Sequence, residues 1–387
     1  MRHERQMELM NRFVALRDTK TATMADKVRT QPTSAYTSPE LHEQELAKIF
    51  RGRFLFAGLA GDAAMPGDYF CLDLAGLPVV VVRGEDGLLR AMVNMCTHRG
   101  ARIFPDDHGH LEGRGIACPF HSWSFDMYGR LLGQPLAREG FKECDKGLLG
   151  MRALNVVERH GLVFVEPLAT GGTGAGQDPD TLLGGADQDL ADLNLGNYRL
   201  ADSRTRTLPL NWKLVIDTFL ESYHIFSLHR ESIGPYYFST PNIFESFDST
   251  LLFAGVRSDI VTELDKPEAE RNLLPYVTLQ YFLYPNALIV HQIDHIETWQ
   301  VFPGAGPDES IVTTNIYGLG EITDKARTYL TKNLDLLVGV TDTEDFPQGI
   351  RTQRAIEAGA SDSFVFGRNE PGLIHFHEWI DHTLTTP

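Results

Sequence analysis

The chain has 387 residues, 42% of them hydrophobic and 22% charged, a globular composition that excludes disordered and fibrous classes and leaves room for two cores at about 100 to 200 residues per domain. Lys and Arg total 35 against 52 Asp and Glu, a formal charge of -17, so the average surface repels phosphate backbones and anionic lipid, and neither nucleic acid nor membrane is an expected partner. The longest apolar runs, such as LPVVVV at 77–82, fall far short of the roughly 20 residues that span a bilayer.

Residues 1–44 read as a polar helical segment packing on the catalytic part of the chain, with MELMNRFVALRD as its helix and TQPTSAYTSPE as a loop. The start, MRHERQMELMNRF, has no apolar run ending in small residues, so a cytoplasmic location is expected. From 45 to 168 the pattern changes to short apolar or alternating runs between Gly, Pro and Asp, including RFLFAGLA, DYFCLDLAG and LNVVERHGLVFVEP, which predicts an all-β domain. Residues 169–189, rich in Gly and Asp, read as a linker or surface loop. From 190 to 387, strand-like runs are interrupted by a helical piece at 211–229 and followed by a long helical stretch at 323–358. Strands gathered beside segregated helices predict an α+β fold with an antiparallel sheet covered on one face.

Four cysteines, Cys71, Cys96, Cys118 and Cys144, are too few for a disulfide scaffold of this length and point to metal instead. NMCTHRGARIF leaves one residue between Cys96 and His98, and ACPFHSWSF leaves two between Cys118 and His121, with 19 residues between the pairs. Each loop thus supplies one thiolate and one imidazole, the donor set of a Rieske cluster, in which two Cys hold one iron and two His the other. A structural zinc site uses the same residue types, but its modules usually place the two Cys together and the two His together. His108 and His110, between the two loops, read as solvated loop residues.

In NWKLVIDTFLESYHIFSLHRES, His224 and His229 follow Asp217 and Glu221. Two imidazoles and one carboxylate suit an Fe(II) facial triad that leaves positions open for O₂ and substrate. Five residues apart on a regular helix, the two rings diverge by about 140°, so an irregularity near 225–228 is predicted.

CTHRG followed by CPFHSWSF resembles the two cluster-binding boxes of the Rieske non-haem iron oxygenase α subunits. NWK, an acid three residues before the His of YH, and a second His five residues on resemble the catalytic iron motif of that family. The resemblance implies an N-terminal Rieske [2Fe-2S] domain and a C-terminal helix-grip (START-like) domain. It implies that Cys96, His98, Cys118 and His121 hold the cluster and that His224 and His229 bind mononuclear Fe(II). Glu221, where many members have Asp, would link the iron to the neighbouring subunit's cluster. The third iron ligand would come from TDTEDFPQGIRTQRAIEAG, where Asp345 fits best, Asp342 and Glu344 compete, and Asp217 is the upstream rival. Asn211 and Tyr223 are expected beside the iron with a catalytic role for Asn211, whereas Trp212 suits core packing.

The implied activity is that of a terminal oxygenase supplied by a flavin-dependent reductase, directly or through a ferredoxin. It would be a homotrimer, with a β subunit left open, and would hydroxylate, dihydroxylate or oxidatively demethylate a small organic substrate. YYFSTPNIFESF at 236–247 and the run around FLYPNALIVHQIDH suggest a mostly apolar, aromatic ligand, and His291 and His295, four apart on an expected strand, would share a face. A quaternary ammonium substrate is the alternative within the class. An electron-transfer protein with a non-catalytic ligand-binding half and a zinc-stabilised binding protein are the alternatives outside it.

Overall fold

The computed structural model describes residues 1–113, 115–167, 178–238 and 241–386. Two compact units result, one of Phe50–Pro179 with Leu195–Asn197, the other of Met1–Ile49, Asp180–Asn194 and Tyr198–Pro387. Residues 169–177 of the expected linker lie outside the described residues, and Asp187–Ala191 is helical. Among the described residues no helix is long and apolar enough to cross a membrane.

The first unit is built of short strands. A seven-stranded antiparallel sheet runs in the order Leu55–Leu59, Leu162–Glu166, Ala153–Arg159, Leu89–Val93, Leu77–Arg83, Asp68–Leu74, His108–His110. The central hairpin turns on Ala75 and Gly76, both at positive φ, the backbone that a tight two-residue connection requires. His108 and His110 are edge-strand residues rather than loop residues: the segment pairs with Asp68–Phe70 and His110 Nδ1 contacts Asp68 Oδ1 at 2.8 Å. A smaller sheet of Gly115–Ala117, Ser124–Asp126 and Leu131–Gly133 completes one apolar core in which Val80, Met92, Phe104, Trp123 and Phe125 enclose Cys96 and Cys118.

The second unit carries a seven-stranded antiparallel sheet ordered Tyr198–Leu208, Ser310–Leu319, His295–Pro303, Ala287–His291, Val277–Leu283, Thr250–Val256, Ile243–Phe247. His291 and His295 therefore stand on successive strands of a hairpin, not on one strand. TQPTSAYTSPE is not a free loop: Arg29–Pro32 pairs with Ser363–Phe366, Thr33–Tyr36 is a 3-10 turn, and Pro39–Glu45 is a helix with Ser38 capping Leu41 N. This anchoring extends into the interior, where Glu45 takes hydrogen bonds from Lys213 Nζ at 2.6 and 2.8 Å and from Trp212 Nε1 at 2.8 Å. Glu45 and Lys213 are 0% and 1% exposed. A buried charge is tolerated only when paired and hydrogen-bonded in this way.

The long C-terminal helix expected over 323–358 is interrupted. Asp324–Val340 and Phe346–Glu357 are α-helical, and Thr341–Asp345 between them is a wide π turn. Pro347 at the start of the second helix suits the first turn, where no amide donor is needed, and the wide turn redirects the side chains that precede it.

Candidate metal centres

The two Cys/His loops repeat one backbone design. Cys96 N donates to Ala101 O and Gly100 N to Cys96 O; Cys118 N donates to Trp123 O and Ser122 N to Cys118 O. In each loop the residue four after the Cys has positive φ, 75° at Gly100 and 58° at Ser122, which lets five residues turn back while the thiol stays inside. Both thiols are 2% exposed. Burial pushes the Cys96 thiol up, His98 N–H opposes it, and the adjacent Cys118 thiol adds to the rise. The His98 ring stacks on Trp123 at 4.8 Å and meets the His121 ring edge-on at 4.5 Å, while His98 Nδ1 is buried without a partner. Two packed thiols and an orphaned imidazole nitrogen fit an iron–sulfur cluster, because thiolate ligation and an imidazole–metal bond would satisfy them.

The second set gathers in the larger unit. The helix Trp212–Phe219 begins at Asn211, whose side chain accepts from Lys213 N, the usual satisfaction of a free helix donor. It stops at Leu220, and a single helical turn, Ile225–Leu228, then carries His224 at its entry and His229 at its exit. The irregularity thus falls before His224, not at 225–228, which is regular. Because both His occupy half-helical end positions, their rings converge to 5.1 Å between centroids. Gly234 closes the turn by donating to His229 O, and a Cβ there would lie 2.8 Å from that oxygen.

The π turn brings Asp345 to meet them. Its Oδ1 lies 3.1 Å from His229 Nε2 and 3.5 Å from His224 Nε2, and one ligand atom from each of the three residues falls within 4.8 Å of the others. Asp345 and His229 are 4% and 3% exposed, His224 22%. This convergence fits a facial triad. The outer nitrogens are also held: Glu221 Oε1 contacts His224 Nδ1, and Glu344 Oε2 contacts His229 Nδ1 at 2.5 Å. Glu221 also receives the amides of Tyr223 and His224, and Glu344 receives Ser232 Oγ at 2.7 Å. Burial depresses the His229 pKa, but Asp345 and Glu344 outweigh it and hold the ring above its ordinary value.

The rival acids are committed elsewhere. Asp342 pairs with Arg206 at 2.6 Å, and Asp217 receives Tyr36 Oη at 2.8 Å and lies 2.9 Å from His377 Nε2. Asn211 is not at the centre: its amide donates to Tyr36 O and Pro307 O, and it does not line the cavity. Trp212 is fully buried core, and Tyr223 is 74% exposed. The roles of Glu344, Ser232 and Gly234 escaped the sequence reading, although Glu344 stood among the competing ligands and its neighbour Asp345 could have suggested a supporting acid.

A cavity of about 500 Å³ opens over the three ligands. Its wall sets Phe219, Phe253 and Trp299 beside Arg257, Gln292 and Glu297, and the lining is mostly apolar, as expected. His295 lines it and His291 does not.

The chain matches the Rieske [2Fe-2S] domain over residues 56–151 and the ring hydroxylating alpha subunit (catalytic domain) over 195–386. It is 30% identical over 207 residues to the glycine betaine monooxygenase oxygenase subunit of Chromohalobacter salexigens, covering 52% of this chain and 44% of that one. It is 31% identical over 201 residues to the chlorobenzene dioxygenase subunit alpha of a Cupriavidus species, covering 51% and 43%. The chain spans about half the length of the curated relatives it matches. The quaternary ammonium Rieske monooxygenase CntA, solved with L-carnitine, shares the fold at a TM-score of 0.77 and 21% identity, over 92% of this chain and 96% of that one. With both matched domains present in order, the chain belongs to the α subunits of the Rieske non-haem iron oxygenases, a family whose cofactors are a [2Fe-2S] cluster and a mononuclear iron.

Proposed function

We propose that the protein is the terminal oxygenase of a multicomponent system, inserting oxygen from O₂ into a small organic substrate by hydroxylation, dihydroxylation or oxidative demethylation. The observation that carries this reading is the convergence of His224, His229 and Asp345 beneath a cavity large enough for such a substrate. When bound, the cluster supplies one-electron transfer and the iron supplies O₂ activation. The protein's own part is positioning. Glu221 and Glu344 each hold the Nδ1 side of one imidazole, which fixes the ring, directs Nε2 inward and raises its basicity as a donor. Asp345, set by the π turn, supplies the anionic ligand, and Cys96, His98, Cys118 and His121 would hold the cluster, the two thiols from inside an apolar core.

A reductase, directly or through a ferredoxin, would be the electron source, and a homotrimer would bring the cluster of one subunit to the Glu221 side of the next. Phe219, Phe253 and Trp299 beside the Glu297 carboxylate support a quaternary ammonium substrate as the second reading, since aromatic faces attract such cations. The test is metal content and turnover together: about three irons per chain, a Rieske visible spectrum and product formed from O₂ with a surrogate reductase are expected. About two irons with no product would instead mark an electron-transfer protein, and a colourless preparation would sink both.

A further inference from the structure

Most charged groups that line the cavity are already paired within the protein. Glu221 holds His224 and Asp345 holds both ligand imidazoles. Asp294 contacts His295 Nδ1 at 2.7 Å and receives Tyr329 Oη at 2.9 Å, and Glu297 contacts His295 Nε2 at 3.2 Å. Arg257 differs. It is the only arginine or lysine among the described residues lining the cavity, and its side chain is 24% exposed. Its Nε–H is buried and has no hydrogen-bond partner. The nearest carboxylate, Asp259, is 3.8 Å from it and 63% exposed, too far for a hydrogen bond and too solvated for a strong pair.

The surroundings hold this guanidinium in place without neutralising it. Arg257 follows the strand Thr250–Val256, its amide donates to Tyr276 O at 2.8 Å, and it bridges to Tyr237. Its guanidinium carbon lies 5.8 Å and 6.0 Å from the ring centroids of Tyr236 and Tyr237. The Tyr237 hydroxyl meets Thr278 at 2.8 Å and also faces the guanidinium, a neutral partner that leaves its charge unbalanced, and Thr278 donates to Gln292 at 3.0 Å. A partly buried guanidinium with an idle donor is costly unless an acceptor arrives, and its planar fork matches a carboxylate.

We infer that the substrate carries a carboxylate and that Arg257 binds it. This rests on the oxygenase reading for the word substrate, but not for the binding itself, which needs no turnover. Small carboxylates then enter this cavity in preference to neutral analogues of the same shape, whether the remainder of the molecule is apolar, aromatic or a quaternary ammonium.

Calorimetric titration of the purified holoprotein with benzoate, 3-phenylpropionate, butyrate and 4-trimethylammoniobutyrate, each against its amide, tests this. At least one acid should bind tenfold or more tighter than its amide. Arg257→Gln should weaken that acid on the order of 10- to 100-fold, the span expected for a lost charge-assisted hydrogen bond. The amide should change less than about threefold, and Arg257→Lys should fall between. Unchanged Rieske absorbance and iron content would certify that the variants fold. Equal binding of every acid and its amide, or an acid preference that survives Arg257→Gln, overturns the inference. Loss of the oxygenase reading would be seen separately, as wild-type protein that carries about two irons per chain and forms no product, or that lacks the cluster spectrum.

Discussion

With His229 as a proposed iron ligand, Glu344→Gln isolates the support of that ligand from the ligand itself. In the native protein Glu344 Oε2 lies 2.5 Å from His229 Nδ1 and receives Ser232 Oγ at 2.7 Å, while His229 is 3% exposed and has no solvent to replace a lost partner. Gln keeps the shape of the side chain but removes the charge that holds the ring and makes it a better donor. Loss of such an outer partner typically weakens metal binding 10- to 100-fold, about 1.4 to 2.7 kcal/mol. Ferrous iron retention against a graded chelator series reads this directly, with cluster absorbance as an internal control in the same sample. Ser232→Ala, which strips only one bond from Glu344, should lose less, and Asp345→Ala should lose the mononuclear iron entirely. If Glu344→Gln holds iron as tightly as wild type, the geometry around His229 has been misread.

Glu221→Gln should leave the cluster spectrum intact and largely abolish coupled turnover, and sustained turnover would count against Glu221 at the electron crossing. Gly234→Ala would set a Cβ 2.8 Å from His229 O, so the turn must shift; reduced iron content at unchanged cluster content is the expected readout, and normal iron would show that the turn yields freely. Glu45→Ala leaves Lys213 buried and unpaired, which costs about 3 to 5 kcal/mol in urea unfolding, whereas Glu45→Leu with Lys213→Met should recover most of it; a loss under about 1 kcal/mol for the single change would contradict the burial of this pair. Burial pushes His291 down to about 4 from its ordinary value of 6.5, and His291 Nδ1 has no partner. The folded state keeps this ring neutral while the unfolded chain takes up a proton, so stability is fully present above pH 6.5 and declines as pH falls toward 4, by at most about 3 kcal/mol. His291→Gln should flatten part of that decline, and identical pH dependence in both proteins would refute it.

How much of this was legible in the sequence depended on chain separation. The cluster loops were readable because each is a contiguous five-residue turn whose Cys, His and positive-φ residue lie within one local motif. The strands of both sheets were readable from short runs between turn residues, although QIDH, which turns the hairpin after His291, was not recognised as a break. What failed was the fine direction of helices. A break was expected between His224 and His229, but Ile225–Leu228 is regular and the chain breaks before His224, where Leu220 ends one helix against the N-terminus of Pro371–Thr385 and Gly372 approaches so closely that a Cβ would lie 2.2 Å from Leu220 O. Such a contact joins positions more than 150 residues apart and leaves no local mark. The π turn at Thr341–Asp345 is similar: TDTED looks like an ordinary helix-start cluster, and only the geometry separates Asp345 between the two imidazoles, Glu344 behind His229 and Asp342 on Arg206.

That separation of three adjacent acids also bears on the substrate. Asp345, Glu221 and Glu344 place three carboxylates around the proposed site of one divalent cation, leaving an excess of negative charge at that end of the cavity. An anionic group is therefore disfavoured beside the metal. Arg257, on the strand side of the cavity and with only the solvated, distant Asp259 carboxylate near it, offers it a place elsewhere. A substrate so held would orient itself by charge alone, anion toward Arg257 and its less polar, reacting carbon toward His224 and His229. The same field predicts that moving the cation should misdirect the substrate before it weakens the metal: Arg257→Gln should raise the fraction of O₂ reduced without product while leaving iron content unchanged. A drop in iron with coupling preserved would mean that Arg257 supports the metal site and not the ligand.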